Sequence, residues 1–231
     1  MTAPQSPLTR EAFLASADHT LLAPDATAAE LDAFIASAAQ LGVARVCVSP
    51  TRIPKGSRGL EIVTVVGFPT GVHTAETKAF EAGRAIAAGA HEIDMVINPG
   101  LVADGDWPAV EAEIRAVREA TAGRVLKVIL ETAALADQEI IAGCRAAGFA
   151  GADFVKTSTG FHAAGGATLH AVRLMAETVG DRLGVKASGG IRTAAMAREM
   201  WSAGATRFGV SATEAIVVGW DSSEEGTHTG Y

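Results

Sequence analysis

Aromatic side chains make up only 5% of this 231-residue chain, and its single tyrosine is the last residue. With alanine abundant, that scarcity suits helices laid closely on a sheet. Cysteine is rarer still. Cys47 and Cys144 cannot build the disulfide framework of a secreted domain, which points to a reduced, cytoplasmic setting. No uncharged apolar run reaches the ~20 residues that span a bilayer, and "MTAPQSPLTR" lacks the apolar stretch of a signal peptide. A basic excess is missing as well. The formal net charge of −7 argues against nucleic acid as the main partner. A phosphate ligand stays compatible with it, because a few backbone N–H groups hold an anion even on an acidic protein.

Several chemical signatures are also absent. The histidines at 19, 73, 91, 162, 170 and 228 show no short His/Cys/Asp spacing of a zinc site. No G-x-S-x-G frames a nucleophilic serine. No G-x-G-x-x-G follows the first strand, as a doubly wound dinucleotide fold requires.

What remains is a regular alternation. Short β-rich segments at 19–22, 43–49, 61–68, 91–98, 125–130, 153–158, 184–188 and 207–211 are separated mostly by helical patterns. "TAAELDAFIASAAQLG" shows how a helix is bounded: Thr27 as cap, Glu30 three residues on, Gly42 at the end. "TAETKAFEAGRAIAAGA", "WPAVEAEIRAVREATAG", "DQEIIAGCRAAG" and "TLHAVRLMAETVG" likewise have a glycine at the end, the first with one alanine beyond it. Strand–helix units repeated along the chain predict an α/β fold, a single-domain (β/α)8 TIM barrel over 1–218. An open doubly wound sheet is the alternative. The polar, glycine-rich "GWDSSEEGTHTGY" predicts a flexible tail at 219–231.

Lysines interrupt three successive predicted strands: Lys127 in "VLKVIL", Lys156 in "DFVKTS" and Lys186 in "GVKAS". Asp94 lies on the strand before them. A lone strand lysine is usually an edge residue or half of an ion pair. Three on neighbouring strands, beside an acid, favour chemistry. Desolvation and a neighbouring cation lower a lysine's pKa until its neutral amine attacks a carbonyl and forms an iminium, an electron sink. Asp94 is the candidate proton carrier. After the last two strands, "KASGGIRT" and "FGVSATEA" place Gly189, Gly190, Gly209 and Ser211 where barrels often bind phosphate. "TSTG" adds Thr159 and Gly160 after Lys156.

The segments "EIDMVIN", "LKVILET", "DFVKTSTGF", "VKASGGIRT" and "RFGVSA" resemble, in order and spacing, the deoxyribose-phosphate aldolases, a class I family. "DHTLL", "VCVSP", "VVGFPTG" and "TKAFEA" extend the resemblance through the first half. It implies a (β/α)8 barrel that reversibly cleaves 2-deoxy-D-ribose 5-phosphate to acetaldehyde and D-glyceraldehyde 3-phosphate, with no metal and no organic cofactor. Lys156 would form the Schiff base, Lys186 would depress its pKa, Asp94 would carry protons with a bound water, and Lys127 would join the charge network. Thr159 and Gly160 would line the substrate, Gly189, Gly190 and Ser211 would hold the phosphate, and Cys47 would be a non-nucleophilic cysteine near the pocket. Some members use a C-terminal tyrosine in the proton step at the acetaldehyde carbon, which makes Tyr231 a candidate; an uninvolved terminal side chain is the alternative. The family also implies a homodimer or homotetramer.

Two departures from the family pattern bear on the phosphate. Val210, Ala212 and Thr213 replace part of a Gly/Ala-Ser-Ser run, leaving a hydroxyl missing or supplied by Thr213. Phe161 stands where some members have a lysine. Two rival readings remain: a phosphate-binding isomerase or decarboxylase that uses lysine as an electrostatic clamp, and a non-catalytic phosphosugar-binding barrel.

Overall fold

A computed structural model describes residues 6–56, 59–121 and 123–225. Its elements in chain order begin with α1 (Arg10–Ser16), β1 (Ala17–Leu21), α2 (Ala28–Leu41), β2 (Arg45–Val48), β3 (Glu61–Val66), α3 (Ala75–Ala87) and β4 (Glu92–Val96). Then come α4 (Pro99–Ala103), α5 (Trp107–Ala120), β5 (Val125–Ile129), α6 (Asp137–Phe149) and β6 (Phe154–Lys156). The chain continues through α7 (Leu169–Val179), β7 (Gly184–Ser188), α8 (Ala194–Ser202), β8 (Arg207–Val210) and α9 (Thr213–Glu225). The strands form a closed barrel in sequence order, every neighbour parallel, with β8 returning to β1 through Ala17↔Phe208 and Asp18↔Gly209. The expected TIM barrel is the observed fold.

Threonine marks helix starts. Thr9, Thr27, Thr74, Thr168 and Thr193 each accept a hydrogen bond from the amide three residues on, and Thr27 with Glu30 completes a capping box. Gly42 ends α2 in the left-handed conformation, as expected. Gly180 caps α7 as expected too, whereas α6 departs from the sequence reading. The sixth helix runs through Gly148 to Phe149, and the chain turns at Gly151, where φ is +82°. Between β2 and β3 the described residues hold only a 3-10 turn, Pro50–Arg52, because Pro50, Pro54 and Gly56 punctuate that stretch. The last helix reaches Glu225, so residues 219–225 of the expected tail are helical, while residues 226–231, Tyr231 among them, lie outside the described residues. Among the described residues no helix is long and apolar enough to cross a membrane.

The main apolar core lies between the barrel and its helices, where side chains such as Ile62, Ile93, Ile114, Leu126 and Phe208 are fully buried. A second, small apolar group, Leu22, Cys47, Val63 and Val65 with Phe68 against it, packs apart from that core. Much of the remaining interior is charged.

One buried ion pair braces the approach to the site. Lys78 on α3 donates to the Val96 carbonyl at 2.8 Å and to Glu113 on α5, and Glu113 also accepts from the Asn98 amide at 3.0 Å. Both side chains are buried. Gly67 makes room for this lysine, since a Cβ there would sit 2.8 Å from Lys78 Cε. Replacing Glu113 by alanine strands a buried ammonium, and we expect a loss of about 3–5 kcal/mol in urea-unfolding stability. A loss below about 1 kcal/mol would show that the pair does not brace the end of β4.

Candidate active site

Side chains alternate along a strand, so the register decides which lysines meet. It pairs Asp94 with Lys127 across β4–β5, Lys156 with Lys186 across β6–β7, and Lys186 with Arg207 across β7–β8. All of them turn into the barrel. Lys127, Lys156 and Lys186 converge on Asp94: Lys127 Nζ lies 2.8 Å from Oδ1, while Lys156 Nζ and Lys186 Nζ lie 2.8 and 2.7 Å from Oδ2. One carboxylate oxygen therefore sits between two amines.

The cluster continues downward through residues the sequence reading did not single out. Asp18, on β1, accepts from Lys186 and from Arg207 (2.7 Å). Glu92 accepts from Arg207 at 2.7 Å and lies 2.5 Å from Lys127. Gly209 gives Lys186 its space: a Cβ there would fall 3.1 Å from Lys186 Cε. Asp18, Asp94, Lys127 and Lys186 have no exposed surface, whereas Lys156 keeps 3%. Along the β5–β6 ladder Lys156 pairs with Ile129, two residues nearer the C-terminal mouth than Lys127.

These neighbourhoods set different charge states. Burial pulls Lys156 below the ordinary lysine value, the Asp94 carboxylate opposes it, and the Lys186 ammonium adds to the lowering. Lys186 is held above its ordinary value, because Asp18 and then Asp94 outweigh the cost of burial. Asp94 is kept well below the usual carboxylate range: burial alone would raise it, but Lys127, Lys156 and Lys186 override that. Asp18 is brought to about 2 against burial by Lys186, Lys127 and Arg207. Burial pushes the Cys47 thiol up to about 11, so this cysteine beside the lysines stays protonated, as a non-nucleophilic role requires.

The loop residues are distributed less tightly. Thr159 turns its hydroxyl and its amide to Glu131, whose backbone is left-handed at φ 63°. Both line a cavity of about 170 Å3 with Pro69, Val96, Leu135 and Phe161. Phe161 packs edge-on against Phe68. Gly160 and Gly189 approach each other: a Cβ on Gly160 would lie 4.0 Å from Gly189 Cα. The positive φ of 83° at Gly190 faces open space. Ser211 lines a separate open cleft with His19, Ala212 and Glu214. Thr213 does not replace the missing phosphate hydroxyl, because it is fully buried and its Oγ1 is 2.8 Å from His19 Nδ1. That ring stacks on Phe34, and burial lowers its pKa to about 4, which keeps it neutral.

Fold and cluster together define a barrel enzyme organised around a desolvated lysine clasped by an ionised aspartate. The family model for DeoC/LacD family aldolases matches residues 13–217, and the chain belongs to that family. It is 55% identical over 217 residues to the deoxyribose-phosphate aldolase of Kocuria rhizophila, covering 93% of this chain and 100% of that one. With the Nocardia farcinica enzyme of the same name it shares 57% over 215 residues, covering 93% and 97%. Among solved structures, the tetrameric deoxyribose phosphate aldolase from Aeropyrum pernix superposes with a TM-score of 0.84 at 32% identity, covering 93% of this chain and 92% of that one.

Proposed function

We propose that this protein is a class I aldolase that reversibly cleaves 2-deoxy-D-ribose 5-phosphate to acetaldehyde and D-glyceraldehyde 3-phosphate through a Schiff base on Lys156. One observation carries the choice of lysine: of the three, Lys156 alone keeps exposed surface, and among the described residues it is paired with Asp94 alone. The neutral amine attacks the C1 aldehyde of the open-chain sugar. The carbonyl electron pair moves to oxygen, which takes a proton, and loss of water leaves the iminium.

Cleavage follows from that electron sink. The C3 hydroxyl gives up its proton, the C2–C3 electron pair flows into the iminium, and glyceraldehyde 3-phosphate departs from an enamine. Protonation at C2 and hydrolysis then release acetaldehyde and free Lys156. Asp94 is ionised, so it acts as proton acceptor: its Oδ2 lies between Lys156 and Lys186, and the Lys186 ammonium donates to that same oxygen. Tyr231 is assigned to the C2 proton step by analogy with family members that use a C-terminal tyrosine. By the same analogy Thr159 and Gly160 are assigned to the substrate, and the Gly189–Gly190 turn with Ser211 to its phosphate.

The assembly we propose is a homodimer or homotetramer. Supporting it are the tetramer named for the Aeropyrum pernix relative and the exposed Phe80 and Phe149 on the outer helices. A cytoplasmic setting fits two buried, unpaired cysteines.

The test is borohydride reduction in the presence of acetaldehyde, followed by peptide mass spectrometry. An ethyl adduct on Lys156, absent without borohydride, is expected; no adduct on any strand lysine would favour a clamp or a sensor. Lys186→Leu removes a cation facing Lys156, so the acid limb of the rate profile should move to higher pH. An unchanged profile removes Lys186 from that role.

A further inference from the structure

The barrel interior holds more charge than the proposed chemistry uses. Three carboxylates, Asp18, Glu92 and Asp94, meet four basic groups, Lys127, Lys156, Lys186 and Arg207. Fully ionised, this buried set would carry one uncompensated positive charge, which is costly away from water. One lysine short of a proton brings it to balance. Arg45 and Glu61 adjoin it at the base of β2 and β3: Arg45 Nε lies 3.2 Å from Glu92 and 2.7 Å from Glu61, and the two cancel each other.

Which lysine goes without is settled by the number of carboxylates around each. Lys127 lies within 4 Å of Asp18 (3.8 Å), Glu92 and Asp94; Lys186 has Asp18 and Asp94; Arg207 has Asp18 and Glu92. Lys156 has Asp94 alone. Glu92 is thus the carboxylate that occupies Lys127 and Arg207 at the foot of the cluster, away from the mouth. We propose that Glu92 and its counter-ion Arg207 are positioning residues that fix the charge count of the barrel interior, so that the missing proton falls on Lys156. Neither touches Lys156; each acts through the other ions. This rests on the Schiff-base reading above.

Changing the count should therefore move Lys156 in opposite directions. Glu92→Gln removes a negative charge, so Lys156 discharges more easily and its reactivity persists to lower pH. Lys156 faces Asp94 on β4, Lys186 on β7 and Cys47 on β2, while Glu92 faces Asp18 on β1, Arg45 on β2, Lys127 on β5 and Arg207 on β8. Arg207→Gln removes a positive charge, lets all three lysines keep their protons, and moves the limb to higher pH. Glu92→Asp, which keeps the charge, stays near the wild type.

The experiment measures the rate of borohydride-trapped acetaldehyde adduct on Lys156 against pH in the wild type and these variants. One pH unit below the wild-type midpoint, Glu92→Gln should trap at roughly three times or more the wild-type rate, each scaled to its own plateau. Arg207→Gln should fall by a similar factor. Should Glu92→Gln fail to fold, Arg207→Gln carries the test with the opposite sign. Lower plateaus with an unmoved midpoint in both variants would reduce Glu92 and Arg207 to structural parts and overturn the proposal. A wild type that forms no Lys156 adduct overturns the Schiff-base reading itself; a wild-type adduct with unmoved variant midpoints overturns only the role of the pair.

Discussion

Lys156→Arg should lower the turnover of 2-deoxy-D-ribose 5-phosphate by on the order of 10³-fold or more, the scale on which a covalent nucleophile is lost. Arginine can still donate to Asp94, but its guanidinium is never neutral near pH 7 and forms no imine. The variant therefore keeps a donor facing Asp94 while removing the nucleophile. Detection of acetaldehyde gives the rate, and borohydride trapping should show no ethyl adduct at residue 156. Activity within tenfold of the wild type would refute the Schiff-base assignment and leave an electrostatic clamp as the better account.

Asp94→Asn should show three effects: on stability, on the acid limb and on the plateau rate. Its carboxylate is the shared partner of three lysines, so its loss leaves buried ammonium groups undercompensated and should cost roughly 3–5 kcal/mol of stability. With less negative charge near it, Lys156 discharges at lower pH, and the acid limb of the rate profile moves down. The rate at the plateau should nevertheless fall by about 10²–10⁴-fold, because the proton acceptor between Lys156 and Lys186 is gone. A purely structural aspartate would give instability without the plateau loss in the folded fraction. A full plateau, measured on folded protein, would remove Asp94 from the proton path.

Much of this architecture was legible because it is local. Apolar strands of four to eight residues, threonine caps and terminal glycines carry their own physical reasons, and Lys127, Lys156, Lys186 and Asp94 stood out as charges inside apolar runs. The lower half of the cluster was harder to see. Asp18 precedes the residues read as the first strand, which begins at Ala17 rather than His19, and Glu92 and Arg207 lie at strand starts where a charge ordinarily faces water. A signal was available at β4, since Glu92 and Asp94 are two apart and must share a face. The choice between a missing hydroxyl and one from Thr213 was not legible locally. A hydroxyl at the start of a helix invites a ligand-binding role, and only the fold brings His19 to it from 194 residues away.

Barrel closure also has a consequence for the timing of synthesis. Asp18 emerges early, but its partners Lys186 and Arg207 follow 168 and 189 residues later. At ribosomal rates of about 5–20 residues per second, that interval is on the order of 10–40 s. Until β8 closes against β1, a nascent chain carries Asp18 and Glu92 without Arg207, the counter-charge they share. The electrostatic balance of the site is therefore among the last features the growing polypeptide acquires, and a chain stopped short of β8 would keep the Asp94 pairs but lack the cation that completes the foot of the cluster.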